Sequence, residues 1–190
     1  MRDQPRARGL RPFLIAAAAL AACSALAAAP ECRAGEAQRA DVLKADYLLT
    51  LLKFVDWPPP VAADTLNACF LGNSGVYDEF SARAPDKRVG ARRVVARRLA
   101  PGEPVASCQV LYIDAEQLAA VSELVYSRPT ALLTVSDAPD FLRNGGIIAL
   151  SEKDARLRLR ISADNARLAN VHISSSLMRL EQLAAAKAES

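Results

Sequence analysis

The chain has 190 residues, of which 52% are hydrophobic and 24% charged, a composition typical of a globular protein rather than a disordered one. Residues 1–34 hold five of its 24 basic residues and two of its 21 acidic ones, so 24 − 5 = 19 basic and 21 − 2 = 19 acidic residues follow position 34. This neutral body lacks the basic surface expected of a nucleic-acid-binding protein, and we therefore expect no nucleic-acid partner.

The N-terminus has the pattern of an export signal. Four arginines precede Phe13, and residues 13–29 then run without a charge up to Pro30. This alanine-rich run is short for a membrane-spanning helix, which needs about 20 strongly apolar residues. We expect residues 1–34 to be a cleaved signal peptide and residues 35–190 to form one exported domain, with a retained membrane anchor as the alternative.

The position of the cut depends on the cysteines. Cleavage after Ala27 or after Ala34 fits the small-x-small rule, and a lipoprotein box also ends at Cys23, which would then be acylated. A cut after Ala34 leaves two cysteines, Cys69 and Cys108, whereas a cut after Ala27 leaves an odd thiol in an oxidising compartment. Cysteine parity therefore favours the cut after Ala34 and an exported protein without an acylated Cys23.

A long helix is predicted at the start of the mature chain. Leu48, Leu51 and Leu52 recur at helical spacing and predict a buried helix over residues 37–54. Trp57 and the three prolines after it end this helix, because proline cannot continue a helical backbone.

The remainder of the chain alternates between strands and helices. Strands covered on both faces are predicted at residues 68–71, 110–113, 132–135 and 147–150. Helical stretches are predicted at residues 76–84, 115–125, 138–144 and 163–169. An arginine-rich strand at Val94 and Val95 and an alternating Leu/Arg strand at residues 157–161 should each expose one face. The pattern predicts a single three-layer α/β domain, with helices on both faces of a mostly parallel sheet and an antiparallel edge.

A glycine-rich turn follows the first of these strands, at a place where α/β sheets often bind ligands. It lacks the Gly-x-Ser-x-Gly spacing of a nucleophile elbow, the lysine of a phosphate loop and the third glycine of a dinucleotide loop. An ordinary strand-to-helix turn is the favoured interpretation. The alternative is a small-molecule pocket formed by Gly72, Asn73, Ser74, Ser136 and Asp137.

Residue patterns for catalysis and for metal binding are incomplete. His172 is the only histidine, so a nucleophile such as Ser74 or Ser136 would have to use it. A metal site needs several converging histidine, cysteine or carboxylate ligands, and the sequence shows no such cluster. We expect no enzymatic activity, no metal and no cofactor.

Basic residues crowd into the segment from Arg83 to Arg98, opposed there only by Asp86. One interpretation is an edge strand whose charges discourage pairing with other strands. The other is a docking surface for an acidic partner or an anionic lipid. This second interpretation assigns partner binding to Arg88, Arg92, Arg93, Arg97 and Arg98.

Several segments, in this order and spacing, resemble the YfiR-like family of periplasmic proteins. They are Lys44–Leu48, Phe54–Pro58, Cys69–Gly72, Cys108–Ile113, Leu133–Asp137, Gly145–Ile148, Leu157–Ile161 and Ile173–Ser175. The resemblance implies a periplasmic regulator that binds the periplasmic sensor domain of an inner-membrane diguanylate cyclase and represses it, which lowers cyclic di-GMP and restrains biofilm formation. It also implies a Cys69–Cys108 disulfide and a homodimer. A small-molecule-binding module is the alternative function.

Overall fold

The computed structural model describes residues 29–57, 64–153, 156–179 and 181. The chain divides into two compact units, residues 1–37 and 38–190. In the first unit, residues 29–37 are described and are helical; most of the predicted signal peptide, including both cleavage positions before residue 29, lies outside the described residues. Among the described residues, no helix combines the length and apolar character needed to cross a membrane.

Four helices and nine strands have bounds in the described part of the chain, and a further helical segment lies near its C-terminal end. The helices are α1 (Ala29–Leu51), α2 (Val76–Arg83), α3 (Ser122–Ser127) and α4 (Ala163–Leu168). The strands are β1 (Val55–Asp56), β2 (Thr65–Leu71), β3 (Arg88–Val89), β4 (Arg92–Leu99), β5 (Val110–Ile113), β6 (Leu133–Ser136), β7 (Ile148–Lys153), β8 (Arg156–Ile161) and β9 (His172–Ile173). Short 3-10 turns follow α1 and precede α3, and residues 175–179 are helical.

Seven strands form one sheet in the order β3-β4-β2-β5-β6-β7-β8. The five central strands are parallel, and the strands at the two edges, β3 and β8, are antiparallel to their neighbours. β1 and β9 form a separate antiparallel pair. The predicted α/β fold is therefore confirmed, with an antiparallel strand at each edge. The five parallel strands have the order of a flavodoxin-type sheet. In this order, β4 is added on one side of β2, and β5, β6 and β7 are added on the other side.

The sheet separates two hydrophobic cores, because successive residues of a strand point to opposite faces. On one side, here called the α1 face, Ala68 and Phe70 pack with apolar residues of α1, α2 and α4. On the other side, here called the disulfide face, Cys69 and Leu71 pack with Leu111, with the 3-10 turns and α3, and with the loops before β5 and β7. The sheet is therefore the middle one of three layers, as expected from the sequence, with one core on each of its faces.

The segment between β6 and β7 differs from the prediction. Residues 138–144 form turns instead of a helix. Asp140 has a positive φ of 57° and accepts the backbone N–H of Asn144, and Gly146 packs so closely on the ring of Phe141 that no side chain would fit there. Gly145, with φ of 96°, then directs the chain into β7. A regular helix is incompatible with the positive φ of Asp140, because helical residues have a negative φ. At the other end of the domain, α1 begins at Ala29, earlier than the predicted start at residue 37.

Candidate functional site

Polar side chains gather where the central parallel strands end. Asp114 directly follows β5, and its carboxylate accepts the backbone N–H of Ser74 at 2.7 Å and the Ser74 hydroxyl at 2.5 Å. Ser74 belongs to the turn between β2 and α2. The carboxylate thus joins the ends of β2 and β5, the neighbouring strands at which the strand order of the sheet reverses.

Gly72 leaves room for this carboxylate. Its φ of +124° is unfavourable for residues with a side chain, and a Cβ there would overlap the Asp114 carboxyl group. Sheets with this strand order bind ligands in the crevice outside these strand ends. Here the crevice beside Ser74 is filled by Asp114, which is 9% exposed.

A second polar contact ties α1 to the end of β6. The Lys44 ammonium lies 2.5 Å from Oδ2 of Asp137, and both side chains are largely buried. On the same helix, Asp41 accepts a hydrogen bond from the backbone N–H of Gly75. Burial raises the pKa of Asp41, an effect that Lys44 and the Gly75 N–H partly oppose. Together these groups hold α1 against two of the strand ends.

Tyr112 on β5 lies beneath this cluster and is 1% exposed. Its hydroxyl and Oδ1 of Asp137 are both buried and have no hydrogen-bond partner among the described residues. Burial raises the pKa of Tyr112, and the carboxylates of Asp137, Asp114 and Asp41 raise it further. These surroundings therefore favour the protonated form of the phenol.

The predicted small-molecule pocket is only partly assembled. Gly72 and Asn73 line an open cleft of about 420 Å³ together with Arg98 and Gln117. Ser74 is bonded to Asp114, and the hydroxyl of Ser136, fully buried, accepts the backbone N–H of Ala138. Asp137 faces Lys44. The structure therefore places two of the five predicted residues in a cleft and gives the other three partners within the chain.

A larger groove of about 500 Å³ lies on the disulfide face. Apolar side chains line most of it, and Glu103 and Glu123 are its acidic residues. The apolar lining residues are Leu71, Leu99, Val105, Leu111, Val121 and Leu124. No sequence pattern indicated this groove, because its walls come from three strands, the loop before β5 and the region of α3.

The predicted partner-binding arginines lie on β3 and β4 and do not share one face. Arg93 and Arg97 occupy the disulfide face and Arg92 and Arg98 the α1 face, because strand residues alternate. The fifth, Arg88, donates to the backbone oxygen of Ala91.

The last two arginines of β4 have partners within the chain. Arg97 forms an ion pair with Glu103 and donates to the hydroxyl of Ser107. Arg98 forms a 3.0 Å ion pair with Asp78, and its guanidinium lies 4.3 Å from the ring centre of Tyr77. These contacts attach a neighbouring layer to each face of the strand.

Cys69 and Cys108 form a disulfide, as the family resemblance implied, with their Cα atoms 5.8 Å apart. It joins β2 to the loop before β5, and both cysteines are buried. A hydrogen bond from the Asn67 side chain to the backbone oxygen of Ser107 lies beside it.

The residues weighed for catalysis lie in different parts of the fold. Ser74 donates to Asp114 at the end of β2, whereas His172 lies exposed on β9, opposite Asp56 in the separate two-stranded sheet. Within the described ranges, no group of three or more histidine, cysteine or carboxylate residues is arranged to hold a metal ion.

The groups described above, here called the polar cluster, are Asp41, Lys44, Ser74, Tyr112, Asp114 and Asp137. Sequence reasoning missed four of them: Asp41, Lys44, Tyr112 and Asp114. A signal for Asp114 was present, because it directly follows a predicted parallel strand as Asp137 does, and such strand ends meet at one edge of a sheet. For Asp41 and Lys44 the sequence offered none, since the helix docking that brings them there is a tertiary contact.

Comparison with known proteins gives a family. The family model described as YfiR/HmsC-like matches residues 41–181, a range that includes the whole sheet, the polar cluster and both bridged cysteines. No curated protein matches the sequence. Because the match spans well over half of the chain, the protein belongs to the YfiR/HmsC-like family.

Proposed function

We propose that this protein is a non-enzymatic regulator that binds the periplasmic sensor domain of an inner-membrane diguanylate cyclase and represses the enzyme. Repression would lower cyclic di-GMP and restrain biofilm formation. The observation that carries this proposal is the YfiR/HmsC-like match over residues 41–181, since the family is periplasmic and regulatory rather than catalytic. We further propose that residues 1–34 are the cleaved signal for export.

The polar cluster at the strand ends is consistent with a binding protein that has no chemistry of its own. Ser74 and Lys44 are each engaged by a carboxylate within the chain. The Asp114 carboxylate also accepts the backbone N–H of Ser74, so this contact fixes the turn between β2 and α2. The cluster therefore supports a structural role.

The test is coexpression with a membrane diguanylate cyclase that has a periplasmic sensor domain. Cyclic di-GMP should fall when the chain is exported, and the cyclase should be recovered with it from solubilised membranes. A version lacking residues 1–34, which stays in the cytoplasm, is the matched control and should leave cyclic di-GMP unchanged. Unchanged cyclic di-GMP with every such cyclase of the host would contradict the proposal.

We propose the arginine surface of β3 and β4 as an electrostatic contact with this partner. Arg88 and Arg93 are its test residues, because Arg97 and Arg98 are paired within the chain. Charge reversal of rim residues acts mainly on the association rate and on salt dependence. Reversal of both test residues should slow association with the cyclase; an unchanged rate would assign these arginines to protection of the sheet edge alone.

Sedimentation of the purified protein tests the homodimer implied by the family.

A small-molecule-binding module is a second candidate function, because the described residues form the open cleft at Gly72 and Asn73 and the groove on the disulfide face. The groove of about 500 Å³ on the disulfide face is within the usual size range of ligand sites and is mostly apolar. A thermal-shift screen of small apolar metabolites tests this alternative. It fails if no compound raises the unfolding temperature.

A further inference from the structure

Strand β8 carries three arginines on one face at the edge of the sheet opposite to β3. Arg156, Arg158 and Arg160 occupy alternate positions, so their side chains leave the strand on the same side. The residues between and after them pack on the larger core of the α1 face: Leu157, Leu159 and Ile161. The three arginines therefore belong to the disulfide face.

These arginines have no counter-charge in the described part of the chain. Among residues 29–57, 64–153, 156–179 and 181, none forms an ion pair or hydrogen bond with their guanidinium groups. On β7, the residues opposite Arg158 and Arg160 are the small, neutral Ser151 and Ala149. The disulfide-face core is formed by other elements, and none of its described residues lies on β7 or β8.

The backbone of β8 is also open on one side. Ser162 donates its N–H to the carbonyl of Ile147 at 2.9 Å, which identifies that pair as a hydrogen-bonded one. Because hydrogen-bonded pairs recur at every second position of an antiparallel ladder, the arginines bond to β7. The backbone groups that point away from β7 are those of Leu157, Leu159 and Ile161. β8 is the last strand of the sheet, so these groups are available to another strand.

We propose that β8 is a docking edge for an extended acidic segment of another protein, which joins the sheet as an additional strand. Its acidic side chains, at every second position, would lie beside Arg156, Arg158 and Arg160. Opposite charges next to each other across a strand pair stabilise it, and addition of a strand to an open edge is a common mode of peptide recognition.

A second copy of this chain fits the same edge poorly. Two β8 strands paired around a two-fold axis would place arginine opposite arginine, and like charges across a strand pair are destabilising. The same charges would thus repel a second copy and attract an acidic strand. The proposal does not depend on the identity of the partner and holds whether or not the protein regulates a cyclase.

The test uses labelled peptides of about ten residues, the length of a long strand. One alternates glutamate with valine and threonine; the other has the same composition with its glutamates consecutive. The purified protein should bind the alternating peptide, more weakly as salt rises, and bind the consecutive one much less. In hydrogen exchange, the amides of Leu157, Leu159 and Ile161 should become protected when the alternating peptide is bound. Equal binding of both peptides, or no protection of these amides, would overturn the proposal.

Charge reversal then locates the site. Arg158→Glu with Arg160→Glu should weaken binding of the alternating peptide by about tenfold or more, while circular dichroism shows an unchanged fold. Arg143→Glu with Arg167→Glu, which reverses two exposed arginines outside the strands, is the matched control and should leave binding unchanged. Equal weakening by both changes would overturn the proposal.

Two other outcomes would also overturn the proposal. Vesicles containing phosphatidylglycerol that bind through Arg158 and Arg160, without any peptide binding, would assign the arginines to a membrane surface. A dimer in sedimentation that dissociates on the double reversal would assign the edge to a second copy.

Discussion

Opening the Cys69–Cys108 bridge should weaken the fold by about 4 kcal/mol without abolishing it. The two cysteines are 39 positions apart, and the chain-entropy treatment gives a loss of this size for a loop of this length. The loop ends keep other contacts, because the Asn67 side chain bonds to Ser107 and Arg97 pairs with Glu103. The reduced protein should therefore retain its sheet.

Urea unfolding followed by circular dichroism measures this loss. With a denaturant slope of about 2 kcal/mol per molar, the midpoint should fall by roughly 2 M in Cys69→Ala/Cys108→Ala and in wild type treated with dithiothreitol. The double variant should not respond to dithiothreitol, which separates the effect of the bridge from that of the lost sulfur atoms. Equal midpoints for oxidised wild type and the variant would refute the entropic reasoning, and two freely alkylated thiols in the exported protein would refute the bridge itself.

Three further predictions concern the polar cluster, each measured by urea unfolding. Gly72→Ala should cost about 2 kcal/mol or more, because the new methyl group meets the Asp114 carboxylate and the backbone has a positive φ. Lys44→Met should cost about 2 kcal/mol, since it leaves the largely buried Asp137 carboxylate without its cation. Asp41→Asn should stabilise the protein at neutral pH and lose this advantage in acid. The folded state binds the Asp41 proton more tightly than the unfolded chain does, so the stability linked to that proton is complete below the ordinary pKa and disappears as the pH rises through the raised one.

Each of these changes has a control in the same chain. Gly90→Ala also places a side chain at a positive φ, but in open space, so it should cost less than Gly72→Ala. Arg143→Met removes an exposed ion pair with Asp140 and should change stability by less than about 1 kcal/mol. Thr50→Val lies on α1 like Asp41 but removes an exposed hydroxyl that does not titrate, so its stability difference from wild type should be the same at every pH. Equal effects in a variant and its control would contradict the corresponding reasoning.

The strands were predictable because burial on both faces requires continuous apolar runs. Residues 110–113 illustrate this, since every position of β5 is buried. The exposed edge was predictable from the alternation of leucine and arginine along β8. Residues 138–144 were predicted wrongly because their apolar residues, Ala138 and Phe141, anchor turns on the core in the way a helical face would.

The polar cluster depends on contacts that sequence separation hides. Lys44 and Asp137 are 93 positions apart and meet only because α1 lies over the end of β6. The arginines of β4 show the same limit: their abundance predicted a charged surface, but their pairing with Asp78 and Glu103 depends on where α2 and the loop before β5 lie.

The Asp114 carboxylate beside Ser74 has a consequence for how information could enter this fold. A receptor reports on its surroundings only if its binding position alternates between empty and filled. At the crevice between β2 and β5, the Ser74 donors already hold an anion that is part of the same chain, so the local concentration of this ligand is fixed by the fold. An external anion would have to displace a side chain that the folded chain itself holds at that position.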